Sequence, residues 1–279
     1  MIRAMVRRNL LFTAVFAGAL FAGAIPSAKP EDAGMSSERL ARIGDSIRRH
    51  VEAGDISGAV TMVSRRGRIT HFEAHGLMDI ESKKPMASNA IFRMASMSKP
   101  VTGVAILMLI EEGKIRPSDP VSKFIPEFKD MKVVVAKEGR PAQPGQTVPE
   151  PQFYLAPANR EITIRDLLTH TSGLVSGGIG ARQAAKLAPR GPNDTLADYI
   201  PRLAGVPLDF QPGTQWAYSG LAAFDTLGRV VEVVSGLAYD QFLKQRIFDP
   251  LGMKDTGFWP PEEKLARRVT LYRRTPQGL

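Results

Sequence analysis

The chain has 279 residues, 43% hydrophobic and 23% charged, which suits one large or two small soluble globular units with a buried core. It holds no cysteine, which excludes disulfides and thiolate metal sites, and its four histidines (His50, His71, His75, His170) lack ligand spacing, so neither metal nor cofactor is expected. The formal net charge of +9 comes from dispersed Lys and Arg without the aromatic interleaving of a single-strand binder, so no nucleic-acid partner is expected.

Met1 to Arg8 carries three arginines, Leu10 to Ile25 is apolar with small residues, and Ala22-Gly23-Ala24 offers a small-x-small cleavage site. Residues 1–24 therefore read as a secretory signal peptide, with export to the bacterial periplasm or beyond and no stable membrane association after cleavage. The alternative is an uncleaved anchor, since the apolar run is only slightly short of a bilayer span.

Ser36-Ser37-Glu38 opens a helix with Leu40, Ile43, Ile47 and Val51 at a spacing near 3.6, ended by Gly54. Gly58 to Ser64 reads as a strand, Arg65-Arg66-Gly67-Arg68 as a turn, and Ile69 to Gly76 as a returning strand.

The next stretch organises the chain. Ser96 and Lys99 lie three apart, so a helix starting near Ser96 puts an amine beside a hydroxyl on one face. A serine hydroxyl is a weak nucleophile until a base takes its proton, and a lysine serves only where burial or charge lowers its pKa. Val101 and the run Val104 to Ile110 leave almost no polar face, which predicts a helix buried all round and a desolvated Lys99. Glu111-Glu112-Gly113 ends it.

Met131 to Ala136 is a candidate strand, and Gly139 to Pro157, with five prolines, reads as an extended surface loop. Thr163 is placed to cap a short helix through Leu168, after which His170, Thr171 and Ser172 bond to backbone in a turn completed by Gly173. A catalytic role for His170 is the alternative; with Lys99 as the base candidate, His170 is left out of the catalytic set and read as structural. Ser176 to Pro192, rich in Gly and Ala, reads as a mobile segment, and Thr195 starts a helix reaching Leu203. Pro212-Gly213 makes a turn, and Trp216 reads as a packing residue. Leu221 to Ser235 is an amphipathic helix ended by Gly236, and Tyr239 to Phe248 makes another. Pro250 and Gly252 shape a turn with Leu251 and Met253 packing inward.

Four segments carry a resemblance. Phe92-Arg93-Met94-Ala95-Ser96-Met97-Ser98-Lys99-Pro100-Val101-Thr102 resembles the S-x-x-K nucleophile box of the serine β-lactamase and penicillin-binding protein superfamily, nearest its class C-like branch of β-lactamase-related hydrolases and family VIII carboxylesterases. Leu167-Leu168-Thr169-His170-Thr171-Ser172-Gly173-Leu174, Pro212-Gly213-Thr214-Gln215-Trp216-Ala217-Tyr218-Ser219 and Ile247-Phe248-Asp249-Pro250-Leu251-Gly252-Met253-Lys254-Asp255-Thr256 are similar to further segments of that family.

The resemblance implies an α+β fold: an antiparallel sheet flanked by helices (about 34–90) and a helical subdomain (about 91–260), within an incomplete domain spanning 25–279. It implies a covalent acyl-enzyme in which Ser96 attacks a carbonyl, Lys99 accepts its proton and Tyr218 shuttles it to the leaving group. The implied partner is a small-molecule ester or amide, with β-lactams or D-amino-acid peptides as alternatives in the same class. A non-catalytic penicillin-binding or peptidoglycan-sensing module, or an inactive fragment, is the rival reading. Oligomeric state is left open.

Two departures from the pattern matter. Class C β-lactamases carry Tyr-x-Asn, whereas Tyr218-Ser219-Gly220 lacks the amide, which counts against β-lactam hydrolysis and suits an esterase. The family's third box, Lys-Thr-Gly or His-x-Gly, does not follow Tyr218. The resemblance therefore implies that the C-terminal strands are missing and that the chain is truncated, poorly stable or weakly active.

Overall fold

In the computed structural model, residues 25–137, 152–275 and 278–279 are described. The signal-peptide stretch 1–24, most of the 139–157 loop and Pro276-Gln277 lie outside them.

Ser36 accepts the Arg39 N–H at 3.3 Å and caps α1 (Ser37–Glu52), whose apolar stripe turns toward an antiparallel sheet. That sheet has the order β1 (Gly58–Arg65), β2 (Arg68–Asp79), β3 (Lys84–Pro85), with Gly58 opposite Gly76 and Arg65 opposite Arg68. The Arg66-Gly67 turn takes φ of +52° and +70°, so this hairpin forms where the sequence predicts it, with the second strand four residues longer than the expected Ile69 to Gly76. Segment 267–270 crosses back beside the sheet, with Val269 N–H donating to Ile91 O at 3.0 Å and Thr270 N–H to Met78 O at 2.9 Å.

The main core is helical. α2 (Ser98–Glu111) and α6 (Ala222–Ser235) pack against each other, and α3 (Ile164–Leu168), α5 (Leu196–Leu203) and α7 (Tyr239–Leu243) surround α6. Ala105, Ile106 and Leu109 of α2 meet Leu167, Leu203, Leu227, Val230, Val231 and Phe242 in one buried cluster. Thr163 and Thr195 each form a capping box, with Asp166 and Asp198 three residues on, which fixes the starts of α3 and α5.

Five expectations need correction. α2 is not buried all round: Thr102, Ala105, Ile106 and Leu109 face the bundle at spacings of three and four, while Val104 (46% exposed) and Leu107 (58%) face away from it. Part of the predicted loop is a strand, because Phe153–Pro157 (β5) pairs antiparallel with Lys132–Ala136 (β4), and a partner strand satisfies the backbone that local sequence leaves open. Ser176 to Pro192 contains a helix, α4 (Ile179–Leu187), because the Asp209 carboxylate reaches in from outside and accepts Ser176 N–H at 2.6 Å and Ala181 N–H at 3.0 Å. Leu251 is exposed, since a single π-turn at Lys244–Phe248 continues α7 and commits Ile247 and Phe248 to the core instead. Trp216 is 68% exposed and is not a core packing residue.

Candidate active site

Ser96 does not start the α-helix itself. It sits in a 3-10 turn, Ala95–Met97, that leads into α2, with the Ser98 hydroxyl donating to Ala95 O at 2.8 Å. Ala95 holds φ +46°, a left-handed conformation costing an alanine about 1–2 kcal/mol, and so the chain enters the Ser96 position under local strain. The turn leaves Ser96 exposed and sets Lys99, half-buried in the first turn of α2, one turn away.

Backbone pairing between two distant loops brings in Tyr218. Asp209 N–H donates to Gly173 O (2.8 Å), Gly213 N–H to Thr171 O (2.8 Å) and Ala217 N–H to His170 O (3.1 Å). Gly173 is required there: at φ +74° an added Cβ would lie 2.5 Å from the Phe210 carbonyl oxygen. The Asp166 carboxylate braces the same corner, accepting Arg160 at 2.6 and 2.9 Å, Thr163 Oγ1 at 2.7 Å and Thr171 Oγ1 at 3.3 Å.

These elements bring the three predicted site residues together. Tyr218 Oη donates to Ser96 Oγ at 2.7 Å, and Lys99 Nζ donates to the same oxygen at 3.3 Å. Lys99 Nζ also donates to the Gly220 carbonyl at 2.6 Å and stands 4.9 Å from the Tyr218 ring centre. Hydrogen bonding by Lys99, then by Ser96, holds the Tyr218 phenol below the ordinary tyrosine pKa, because a nearby cation and donors favour the phenolate. Such an arrangement can move a proton on and off one hydroxyl oxygen that is open to solvent. Among the described residues no group of three or more His, Asp or Glu could hold a metal ion.

Gly220 lacks the family's amide, yet its carbonyl holds Lys99. That contact is made by backbone, and no residue-type signal could reveal it. His170, read as purely structural, packs on the Tyr218 ring with centres 4.7 Å apart and on Phe224 at 5.4 Å, with Trp216 edge-on at 6.4 Å. Its place in the Thr169-His170-Thr171 turn was legible; its contact with Tyr218 depends on the pairing of the two loops.

The chain matches the family model described as Beta-lactamase over residues 43–279. It is 38% identical over 233 residues to Protein Rv1367c of Mycobacterium tuberculosis (82% of this chain, 54% of the relative). It is 33% identical over 249 residues to Esterase EstB of Burkholderia gladioli (84% and 54%). Among solved structures it resembles EstCE1, described as a hydrolase with promiscuous acyltransferase activity, with TM-score 0.69 and 29% identity over 86% of this chain and 58% of that one. The chain thus spans about half the length of the curated relatives it matches. The nucleophile box, the helix-and-antiparallel-sheet architecture and the match over 43–279 together place this chain in the beta-lactamase family.

Proposed function

We propose that this chain is a serine hydrolase that works through a covalent acyl-enzyme on small esters. The observation that carries the reading is the double approach of Tyr218 Oη and Lys99 Nζ to the exposed Ser96 Oγ. With Tyr218 as phenolate beside the Lys99 ammonium, the Ser96 proton passes to Tyr218 Oη while Oγ bonds to the ester carbonyl carbon. The carbonyl–alkoxy bond then breaks, and the departing alkoxide takes that proton from Tyr218. Water repeats the sequence on the acyl-enzyme, and its proton returns through the same pair. The shorter contact gives Tyr218 the direct transfer, and Lys99 supplies the charge that keeps the phenolate accessible.

Similarity to proteins described as an esterase and as a hydrolase with acyltransferase activity supports the ester preference over β-lactams, as does the missing amide at Gly220. Met97 (66% exposed), Trp216 (68%) and Leu221 (67%) adjoin the reacting groups in sequence and leave apolar surface open to an acyl or alcohol chain. The leader at 1–24 adds export to the proposal, tested by N-terminal sequencing of protein recovered outside the cytoplasm.

Labelling with a fluorophosphonate followed by p-nitrophenyl acetate and butyrate turnover tests the function. Labelling at Ser96 with turnover beyond one equivalent supports a hydrolase. A burst that stops at one equivalent favours an acylating sensor, and no labelling with no turnover overturns the acyl-enzyme.

A further inference from the structure

The segment that carries Tyr218 is fixed twice by one residue. His170 O accepts the Ala217 N–H at 3.1 Å, and His170 Nδ1 accepts the Ser219 N–H at 3.2 Å, so its main chain and its ring bracket the tyrosine from both sides. His170 takes a left-handed backbone (φ +58°), and both its carbonyl and its ring reach residues 217–219. The ring packs against both Tyr218 (centres 4.7 Å apart) and Phe224 (5.4 Å). Ser219 itself is buried, its Oγ accepting Ala223 N–H at 3.1 Å, and the next residue, Gly220, presents its carbonyl to Lys99.

We propose that His170 is a positioning residue: it holds the Tyr218–Gly220 segment so that the phenol and the Gly220 carbonyl meet Ser96 and Lys99 together. The inference rests on the hydrolase reading for its kinetic consequence but not for its structural one. A backbone N–H can only donate, so Nδ1 must be unprotonated and the ring proton sits on Nε2. An imidazolium would have no acceptor and would lose the Ser219 bond. Burial, and then the Lys99 charge, hold the His170 pKa below the ordinary histidine value, which keeps the acceptor available at neutral pH. The titratable groups facing the ring are Lys99 from α2 and Tyr218 from its own segment. Asp225 on α6 is paired with Arg190 at 3.2 Å.

Two variants separate the ring from its acceptor. His170→Phe keeps an aromatic face and removes Nδ1. His170→Asn keeps an acceptor near that position and tolerates a left-handed backbone. In the full chain, kcat for p-nitrophenyl butyrate is expected to fall about tenfold or more in H170F with KM little changed, the scale of one lost hydrogen bond, and to recover most of that in H170N. Ultraviolet difference titration against Tyr218→Phe is expected to show the Tyr218 ionisation moving up in H170F toward the ordinary value of about 10. In the wild-type chain, the Ser219 amide nitrogen resonance is expected to titrate with the His170 ring, a reading that needs neither variant to fold. A Ser219 amide indifferent to His170 protonation, or a Tyr218 titration unchanged in folded H170F, overturns the proposal. Wild-type chain that neither labels nor turns over overturns the hydrolase reading alone, since both titrations proceed without it.

Discussion

Tyr218 Oη lies 2.7 Å from Ser96 Oγ across 122 positions of sequence, closer than Lys99, which is only three positions away. Tyr218→Phe is therefore expected to lower kcat/KM by roughly a hundred- to ten-thousandfold, the range of a lost acid–base group, while leaving the melting temperature near that of wild type. Ser96→Ala is expected to abolish fluorophosphonate labelling. Steady-state ester kinetics and intact-mass measurement check both, and a Y218F variant with unchanged kcat/KM would remove the phenol from the mechanism.

The lowered pKa of the Tyr218 phenol has a kinetic sign. Depression populates the phenolate at lower pH than in a free tyrosine, so kcat/KM is expected to rise with pH and to level off with a midpoint below about 10. Lys99→Met removes the largest cause and is expected to move that limb upward. A pH–rate profile of both proteins reads the shift directly. The phenol is too exposed for its ionisation to carry folding stability.

Strain at Ala95 can be read by substitution. Glycine adopts φ +46° freely but loses more chain entropy on folding, so Ala95→Gly is expected to change stability by less than about 1 kcal/mol. A β-branched side chain is a steric outlier in that region, so Ala95→Val is expected to lower the melting temperature and slow Ser96 labelling together. Thermal melts paired with labelling rates test this, and an A95V variant behaving as wild type would contradict the strained entry to the serine.

Asp166 links stability to acid. Burial pushes its carboxyl up, but the Arg160 guanidinium and the hydrogen bonds from Thr163 outweigh that and hold it below the usual carboxylate range. A depressed carboxylate contributes stability that is complete above its unfolded pKa of about 3.9 and is lost as pH falls through the lower folded value. Asp166→Asn is expected to cost about 1–3 kcal/mol by urea denaturation at neutral pH, with the gap to wild type closing at acid pH. The magnitude is modest because Arg160 is 44% exposed. A constant gap across that pH range would assign the loss to packing rather than to charge.

Asp209 gives a local test. Its carboxylate accepts Ser176 N–H and Ala181 N–H at the start of α4, so Asp209→Ala is expected to cost about 1 kcal/mol. Hydrogen exchange over residues 179–187 is expected to speed up more than exchange in α6. Equal protection in both proteins would show that α4 forms without this cap.

Much of the scaffold was readable because its signals are local. Ser36, Thr163 and Thr195 cap helices from one residue before them, Gly113 and Gly236 end helices at positive φ, and the Arg66-Gly67 turn closes the first hairpin. Elements whose partners lie far away were not readable. β5 needs β4, and α4 needs Asp209. The turn at Leu251 depends on which neighbouring side chains the core accepts.

The candidate site divides the same way. By itself the sequence determined that Ser96 and Lys99 would be neighbours, because three residues make nearly one helical turn, and its resemblance to the family singled out Tyr218. Only the tertiary structure decided that the phenol is nearer the serine than the amine is, that a carbonyl at Gly220 holds Lys99, and that His170 supports the tyrosine through both ring and backbone. Those three facts arise from pairing residues 170–173 with 209–217. Such pairing is made by backbone groups, so residue identity marks its turns, at Gly173 and Gly213, but not which two loops meet.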